Sequence, residues 1–501
     1  MPISEERGST RDRKHDLPWS LDDKAKIAEL TAQLLAKDVV IAELRQEIVE
    51  LKGVVAELRA MVADLTEKLG QNSRNSHKPP SSDGPGAAKN FNKPKRGSDR
   101  KRGGQKGHRG RHRELLPADQ VDEVVDVFPS HCDGCAKPLP KVPDICASRT
   151  QLTEVPPIKP HTTEYRQHAV TCECCGHSTR ATGAGIIPMS PFGPRLMALV
   201  ALLSGVYHLS RRRTVQALGD ILGVRISLGA VSAVEARVGD AVKVAVDGAW
   251  QAAHRAAVKH TDATVWLSCG VTRSLWTIAT SAVTVFKIVS DGSTRIVAPL
   301  FESLKGILVS DRATVFSFWA MHRRQICWAH LLRKFVAFSE RGDAGKHFGA
   351  DLLSYTGLLF EYWHAYKDGK IDKATFVAWM EPVQTQLETC LRRAVAAKIK
   401  HVSGSCDDIL KHQAALWLFI DRDDVEPTNN HAERELRQFV MWRKRSFGTQ
   451  SERGNIFAER LMTVSHTARK QSVNVLAFLT DCCQAQLAGA TPPLLVTPTP
   501  A

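Results

Sequence analysis

Residues 306–316 read GILVSDRATVF, a short apolar run that ends on Ser310 and Asp311. Such a run, closed by polar residues, suits a strand buried on both faces of a parallel or mixed sheet. An acid at the C-terminal edge of a buried strand stands where α/β sheets place ligand-binding and catalytic groups. Upstream, residues 258–270 (VKHTDATVWLSCG) and 274–289 (SLWTIATSAVTVFKIV) carry β-branched and aromatic residues broken by turns, which predicts further strands. The first of them contains Asp262, flanked by His260 and Thr261. Both carboxylates would be costly to bury without a cation or metal. Downstream, residues 326–425 read as largely helical, from CWAHLLRKF to LKHQAALWLFI. Residues 427–454 (PTNNHAERELRQFVMWRKRSFGTQSERG) then offer Asn429 or Asn430 as an N-cap and set Glu433, Arg437, Val440 and Lys444 on one helical face.

Before the sheet, residues 191–255 read as helices. The stretch LSRRRTVQALGDILGVRISLGAVSAVEARVGDAV (209–242) gives a helix, a turn around Gly223, and a second helix opened by Ser227. It is compatible with a DNA-reading helix-turn-helix, although an ordinary helical hairpin is the commoner reading of such a pattern.

Of twelve cysteines, six (Cys132, Cys135, Cys146, Cys172, Cys174 and Cys175) crowd into one short segment. The first sixteen residues have no apolar stretch of a secretory leader, so a reducing cytosol and metal ligation are expected rather than disulfides. Cys132-x-x-Cys135 and Cys172-x-x-Cys175 form two knuckles that can offer four thiolates to one Zn²⁺ in a small ribbon, with strands expected at 121–128 and 164–172. His131, Cys174 and His177 are alternative ligands, and buried free cysteines are the plainer alternative.

Nearer the N-terminus, residues 1–20 are polar, and a heptad pattern then fills residues 21–70. Ile27, Leu30, Leu34, Ile41, Leu44, Ile48, Leu51, Val55, Leu58, Val62, Leu65 and Leu69 follow steps of three and four, with only Lys37 interrupting. Ile or Val prevails at one seam position and Leu at the other, the choice that favours a parallel pair of helices. The seam residues Ile27, Leu30, Ile41, Leu44, Ile48, Leu51, Val55 and Leu58 are therefore expected to dimerise the chain, with Glu47 and Lys52 placed to bridge partners. A single amphipathic helix docked on its own protein is the alternative. Residues 71–115 follow, rich in Gly, Pro, Ser and Asn, with six Lys and seven Arg against three acids. This arm is too polar to fold alone, and its charge suits DNA phosphates, with Lys95, Arg96, Lys101, Arg102, Lys106, Arg109 and Arg111 as candidate contacts.

The chain of 501 residues carries a formal net charge of +15, and the arm supplies +10 of it. Length and a 43% hydrophobic content allow several folded domains. A basic excess of this kind points to a polyanion, nucleic acid above all. No membrane span is expected, because the longest apolar stretch (196–209) is interrupted and short of the ~20 residues a bilayer needs. No GxxxxGK[ST] loop occurs, which excludes a P-loop motor.

Several segments together resemble a known family. HTDATVW, LVSDRATVF with ICWAHLLRKF, and PTNNHAERELR with WRKRSFGTQSE resemble the three DDE blocks of the IS66 family of insertion-sequence transposases. LGQNSRNSHKPPSSD and GGQKGHRG resemble that family's hinge after its leucine zipper, and the four knuckle cysteines resemble its zinc-finger-like module. The first block in that family usually reads Asp-Glu-Thr, whereas Asp262-Ala263-Thr264 stands here.

The resemblance implies a multidomain α+β fold with a ribonuclease-H-like α/β core and DNA transposition by two metal ions. Its expected divisions are a disordered 1–20, a coiled coil 21–70, a basic linker 71–115, a zinc-ribbon-like module 116–190, and a helical DNA-binding region 191–255. The catalytic core would then span 256–470, with a helical insertion near 340–425, ahead of a C-terminal helix and tail 471–501. Two Mg²⁺ (or Mn²⁺) ions prefer a few carboxylates plus phosphate and water. Asp262 is expected to bridge both, with Asp311 on one and Glu433 on the other. Arg437 and Lys444 would hold phosphates, with Arg333, Arg443, Asn430 and His330 as further contacts. One structural Zn²⁺ would sit in the knuckles. Expected partners are double-stranded DNA, a second copy through the coiled coil, and accessory proteins of the same element. A transposase-derived DNA-binding protein without catalysis, and a coiled-coil zinc scaffold, are the alternative functions.

Overall fold

A computed structural model describes residues 21–76, 114–182, 187–188, 190–301 and 305–496. The chain divides into two compact units, residues 1–82 and 83–501.

In the first unit the heptads form one uninterrupted helix, α1 (Leu21–Leu69), of 49 residues. At 1.5 Å per residue it is about 70 Å long. Asp22 and Asp23 in the first turn and Lys68 in the last match the helix dipole. Gly70 ends it, and the Asn75 side chain donates to the Gly70 carbonyl at 3.1 Å. The seam stays open to solvent in the single chain: Ile48 is 49% exposed and Leu51 62%. An apolar stripe this long is not stable in water uncovered.

The first described residues of the second unit, 114–182, hold little regular structure. Residues 169–171 and 178–180 pair antiparallel as β1 (Ala169–Thr171) and β2 (Ser178–Arg180). The longer strand expected at 164–172 shrinks to this ladder. The segment 121–128 forms no strand, and Val124, Val125 and Val127 are exposed. Its β-branched residues have no neighbouring strand to pair with, and propensity without a partner does not make a ladder.

Helices α2 (Pro194–Ala201), α3 (Arg211–Leu222), α4 (Leu228–Ala241) and α5 (Lys243–Arg255) follow. Gly223, in the left-handed region with φ +66°, ends α3, and the Ser227 hydroxyl caps α4 by accepting from the Ala230 N–H. The hairpin is tied by Arg211 to Glu235 at 2.6 Å.

A five-stranded sheet then forms in the order β5-β4-β3-β6-β7. Strands β3 (Val258–Ser268), β4 (Val271–Ala279) and β5 (Thr284–Val289) pair antiparallel in succession, while β6 (Ile307–Ser310) and β7 (Arg324–Ile326) lie parallel to β3. Cys269 and Gly270 join β3 to β4 with positive φ at both, as a tight hairpin requires. Helix α6 (Thr294–Phe301) connects β5 to β6. The insertion between sheet and final block is helical throughout: α7 (Trp328–Ser339), α8 (Gly345–Lys367), α9 (Lys373–Ala396), α10 (Ser403–Lys411) and the short α11 (Leu418–Asp421). Its core of Phe335, Leu352, Leu359, Phe376, Met380 and Leu387 is continuous with Ile307 and Val309 of β6 and Ile326 of β7.

Helices α12 (Asn430–Ser446), α13 (Glu452–Lys470) and α14 (Val475–Leu487) complete the unit. Side-chain alternation along the strands buries both faces of the sheet. Trp276, Ile278 and Leu308 pack with α5 and α6 on one face; Trp266, Leu275 and Phe286 meet Leu436, Phe439 and Met462 of α12 and α13 on the other. Helices α13 and α14 also share the core of α2 and α4 through Leu461, Val464 and Leu479. Among the described residues, no helix is long and apolar enough to cross a membrane.

The strand β6 is launched by Gly306 at φ +91°, where an added Cβ would lie 2.3 Å from the Ala257 carbonyl oxygen. Gly306→Ala should therefore destabilise the fold by about 2–3 kcal/mol through backbone strain and the clash. A urea melt checks this, and an unchanged midpoint would contradict the placement of β6.

Candidate active site

The parallel register aligns Val258 with Ile307 and His260 with Val309. Continued past the end of the ladder, the same offset brings Asp311, the first residue after β6, toward Asp262 of β3. Both acids line one cleft of about 400 Å³ with Thr264, Ser274, Trp276 and Phe316. β6 ends at Ser310, so Asp311 opens the loop beyond it. Its carboxylate accepts the Ala313 N–H at 3.0 Å. Arg324 of β7, itself buried, donates to the Ser310 hydroxyl and to the carbonyls of Asp311 and Ala313. Arg312 reaches the other way, pairing with Asp408 of α10 at 2.9 Å. The Asp311 loop is thus held between the sheet and the helical insertion.

Asp262 is half-buried and accepts the Ala263 N–H at 2.8 Å. Its carboxyl is pushed up to about 8, by burial first and next by the negative charge of Asp311. The Ala263 N–H opposes this, Glu433 adds to it, and Arg333 opposes it weakly. Acids crowded in this way attract a cation, and the donor set is the oxygen-rich type that a divalent ion such as Mg²⁺ takes.

Glu433 arrives from the first turn of α12. Asn429 stands at the N-cap position, as the sequence proposed, but its side chain does not cap the helix. Fully buried, it donates through Nδ2 to the Thr261 carbonyl at 2.7 Å, while its N–H donates to Cys327 Sγ at 3.1 Å. The start of α12 is thereby pinned to the residue before Asp262. The Glu433 carboxylate lies 3.4 Å from Arg333 and 3.7 Å from His330, both on α7. Among the described residues, the only trio of candidate metal-ligating atoms mutually within 4.8 Å is Cys327, His330 and Glu433. Glu433 thus neighbours Asp262 electrostatically without closing into so tight a trio with the two aspartates.

Of the other candidate contacts, Arg437 and Lys444 are exposed on α12 beside Arg434 and Arg445, giving a basic ridge. Asn430 is exposed at the same helix start. Arg443 is engaged instead with the strand, donating to Thr264 Oγ1 at 3.2 Å and to the Val265 carbonyl. Trp328 is fully buried and donates to the Leu416 carbonyl. Lys95, Arg96, Lys101, Arg102, Lys106, Arg109 and Arg111 lie outside the described residues. Sequence reasoning did not single out Arg324, Arg312 or the inward-facing role of Asn429. A buried arginine in a three-residue strand leaves no periodic signal.

The two cysteine knuckles share one backbone design. Cys132 N–H donates to the Lys137 carbonyl and Ala136 N–H to the Cys132 carbonyl; Cys172 N–H and Gly176 N–H repeat the pattern with His177 and Cys172. Ala136 and Gly176 take positive φ at equivalent places. N–H groups of Gly134 and Cys135 lower the Cys132 thiol, and those of Cys175 and Cys174 lower Cys172. Donors aimed at sulfur favour thiolate, the form that binds a metal, so each knuckle fits a pair of Zn²⁺ ligands. The four sulfurs do not close into a set within 4.8 Å. Cys174 and Cys146 are exposed, and His131 sits against the Ser130 hydroxyl.

Residues 189–456 match the family described as Transposase IS66 family. Residues 24–114 match a family of unknown function, DUF6444. No curated protein matches the chain.

Proposed function

The chain belongs to the IS66 family of transposases, and from that premise we propose that it cuts and joins DNA strands at the ends of its insertion sequence, using Asp262, Asp311 and Glu433. The observation that carries this reading is the single cleft lined by Asp262 and Asp311, with the charges of Asp311 and of Glu433 from α12 both acting on the Asp262 carboxyl. Three antiparallel strands in meander order extended by two parallel ones, with helices on both faces, support a ribonuclease-H-like core. The catalytic division 256–470 with its insertion, the zinc module and the DNA-binding helices are parts of this proposal.

When bound, two Mg²⁺ ions would supply activation of a water or 3′-hydroxyl and stabilisation of the departing oxygen. Asp262 would face both, Asp311 and Glu433 one each. Ser310, Arg324 and Arg312 hold the Asp311 loop rigid, so its carboxylate does not reorganise during the reaction. Asn429 fixes α12, and with it Glu433, against the strand that bears Asp262. Arg437 and Lys444 would grip phosphates flanking the cut. Strand transfer exchanges one phosphodiester P–O bond for another, with the proton of the attacking hydroxyl passed to solvent or the leaving 3′-oxygen. The knuckle cysteines would fold around one structural Zn²⁺, and α1 would pair with a second copy.

The test is cleavage of DNA carrying the element's terminal repeats, with Mg²⁺ or Mn²⁺. Nicking at the repeat ends supports the reading; tight binding with no nicking under either ion would make this a DNA-binding protein without catalysis. The basic arm makes a separate prediction. Neutralising six to ten phosphates costs about 10³–10⁵ in affinity between 50 and 200 mM salt. Fluorescence anisotropy should show such a slope for the full chain, and a markedly shallower one when the arm's lysines and arginines are replaced by glutamine. Equal slopes would remove the arm from the interface.

A further inference from the structure

We propose that Cys327, His330 and Glu433 form a second metal site for Zn²⁺ or a similar thiophilic transition ion, and that an ion there withholds Glu433 from Asp262 and Asp311. The inhibitory half rests on the reading of Glu433 as the third carboxylate; the binding half does not.

The geometry comes first. One ligand atom from each residue lies within 4.8 Å of the other two. Zinc bonds of about 2.0–2.3 Å require tetrahedral ligands about 3.3–3.8 Å apart, so side-chain shifts of about an ångström close the site. Cys327 and His330 are three residues apart at the start of α7, one at the N-cap position and one in the first turn. Their backbone is already fixed: the Cys327 N–H donates to the Ser310 carbonyl at 2.8 Å and the His330 N–H to the Cys327 carbonyl at 3.2 Å. The Asn429 N–H aimed at Cys327 Sγ is the kind of donor that steadies a ligating thiolate.

The chemistry then selects the ion. Sulfur, imidazole and one carboxylate suit Zn²⁺ or Co²⁺ and do not suit Mg²⁺, which wants oxygen and near-octahedral geometry. Three protein ligands leave a fourth position for water. Binding releases the thiol proton and replaces Arg333, now 3.4 Å from Glu433, as the main positive partner of that carboxylate. The sequence between β6 and α12 therefore gives Glu433 two competing destinations, one oxygen-lined and one thiolate-lined.

The experiment is a Co²⁺ titration of the full chain, read by the thiolate-to-cobalt charge-transfer band, in wild type, Cys327→Ser, His330→Ala, Glu433→Gln and Asp262→Asn. The knuckle cysteines contribute equally to all five. The expected result is one Co²⁺ with its charge-transfer band lost in Cys327→Ser. His330→Ala and Glu433→Gln should weaken that ion by about 10–100-fold or more, and Asp262→Asn should leave it intact. Identical spectra and stoichiometry in wild type and Cys327→Ser overturn the site, as does unchanged affinity in His330→Ala, which decides the matter if Cys327→Ser does not fold. In the second arm, added Zn²⁺ should suppress Mg²⁺-dependent cleavage by wild type and not by Cys327→Ser; equal suppression overturns the inhibitory half. If wild type shows no cleavage at all, the active-site reading fails while the cobalt measurements still decide the metal site.

Discussion

Asp262→Asn protein binds terminal-repeat DNA as wild type does but cleaves it about 10³-fold more slowly, or not at all. A bridging carboxylate neutralises two cations at once, and its amide neutralises neither; losing about 4 kcal/mol of transition-state stabilisation produces a rate loss of this size. The basic arm, the helical hairpin and the ridge on α12 are untouched by the change, so affinity persists. The same substitution has a second signature in metal-free protein. The Asp262 carboxyl keeps its proton up to about pH 8 in the folded chain, whereas an ordinary aspartate loses it near 3.8. Between these values the folded state binds more protons than the unfolded one, so stability falls as pH rises through the window and levels off above about 8. Asparagine carries no such penalty. The variant should melt several degrees above wild type at pH 8–9, with the gap closing toward pH 4. Scanning calorimetry across that range checks it, and a wild type that melts higher throughout would mean Asp262 is not crowded by Asp311 and Glu433.

Replacing Leu44 and Leu51 with serine turns the chain monomeric. Both lie on the seam of α1 and are exposed, Leu44 by 51% and Leu51 by 62%. Each leucine buried in a helix pair contributes about 1.5–3 kcal/mol. Two changes per chain remove four such side chains from a dimer, about 6 kcal/mol or more, which weakens association by over ~10⁴-fold. Analytical ultracentrifugation reads the outcome directly. A variant with the sedimentation of wild type would show that the stripe of α1 covers something other than a second α1. Terminal-repeat pairing should be lost with the dimer, while single-end binding through the arm remains.

These expectations were legible to different depths. The extent of α1 followed from the heptads because a seam of period 3.5 constrains every turn, and Gly70 supplied the stop. The strand bearing Asp262 and the one that ends just before Asp311 were legible because short apolar runs bounded by turns have few alternatives. The parallel pairing of the two strands was not, since it joins residues 49 apart in the chain, Val258 with Ile307. Residues 121–128 misled for the same reason: Val124, Val125 and Val127 have strand propensity but no partner. The supports of the site were hidden as well. Arg324 and Asn429 look like surface residues by type and become inward-facing only once β7 and α12 pack. The assembly of α13 and α14 with α2 and α4 joins segments over 200 residues apart, which no local pattern reports.

The central claim is that Asp262, Asp311 and Glu433 share a pair of divalent ions. The most direct measurement is the anomalous signal of Mn²⁺ in crystals of the full chain with terminal-repeat DNA. Two peaks about 3.5–4 Å apart are expected, both coordinated by Asp262, one also by Asp311 and the other by Glu433. Peaks ligated elsewhere, or Mn²⁺ bound without Asp262, would contradict it.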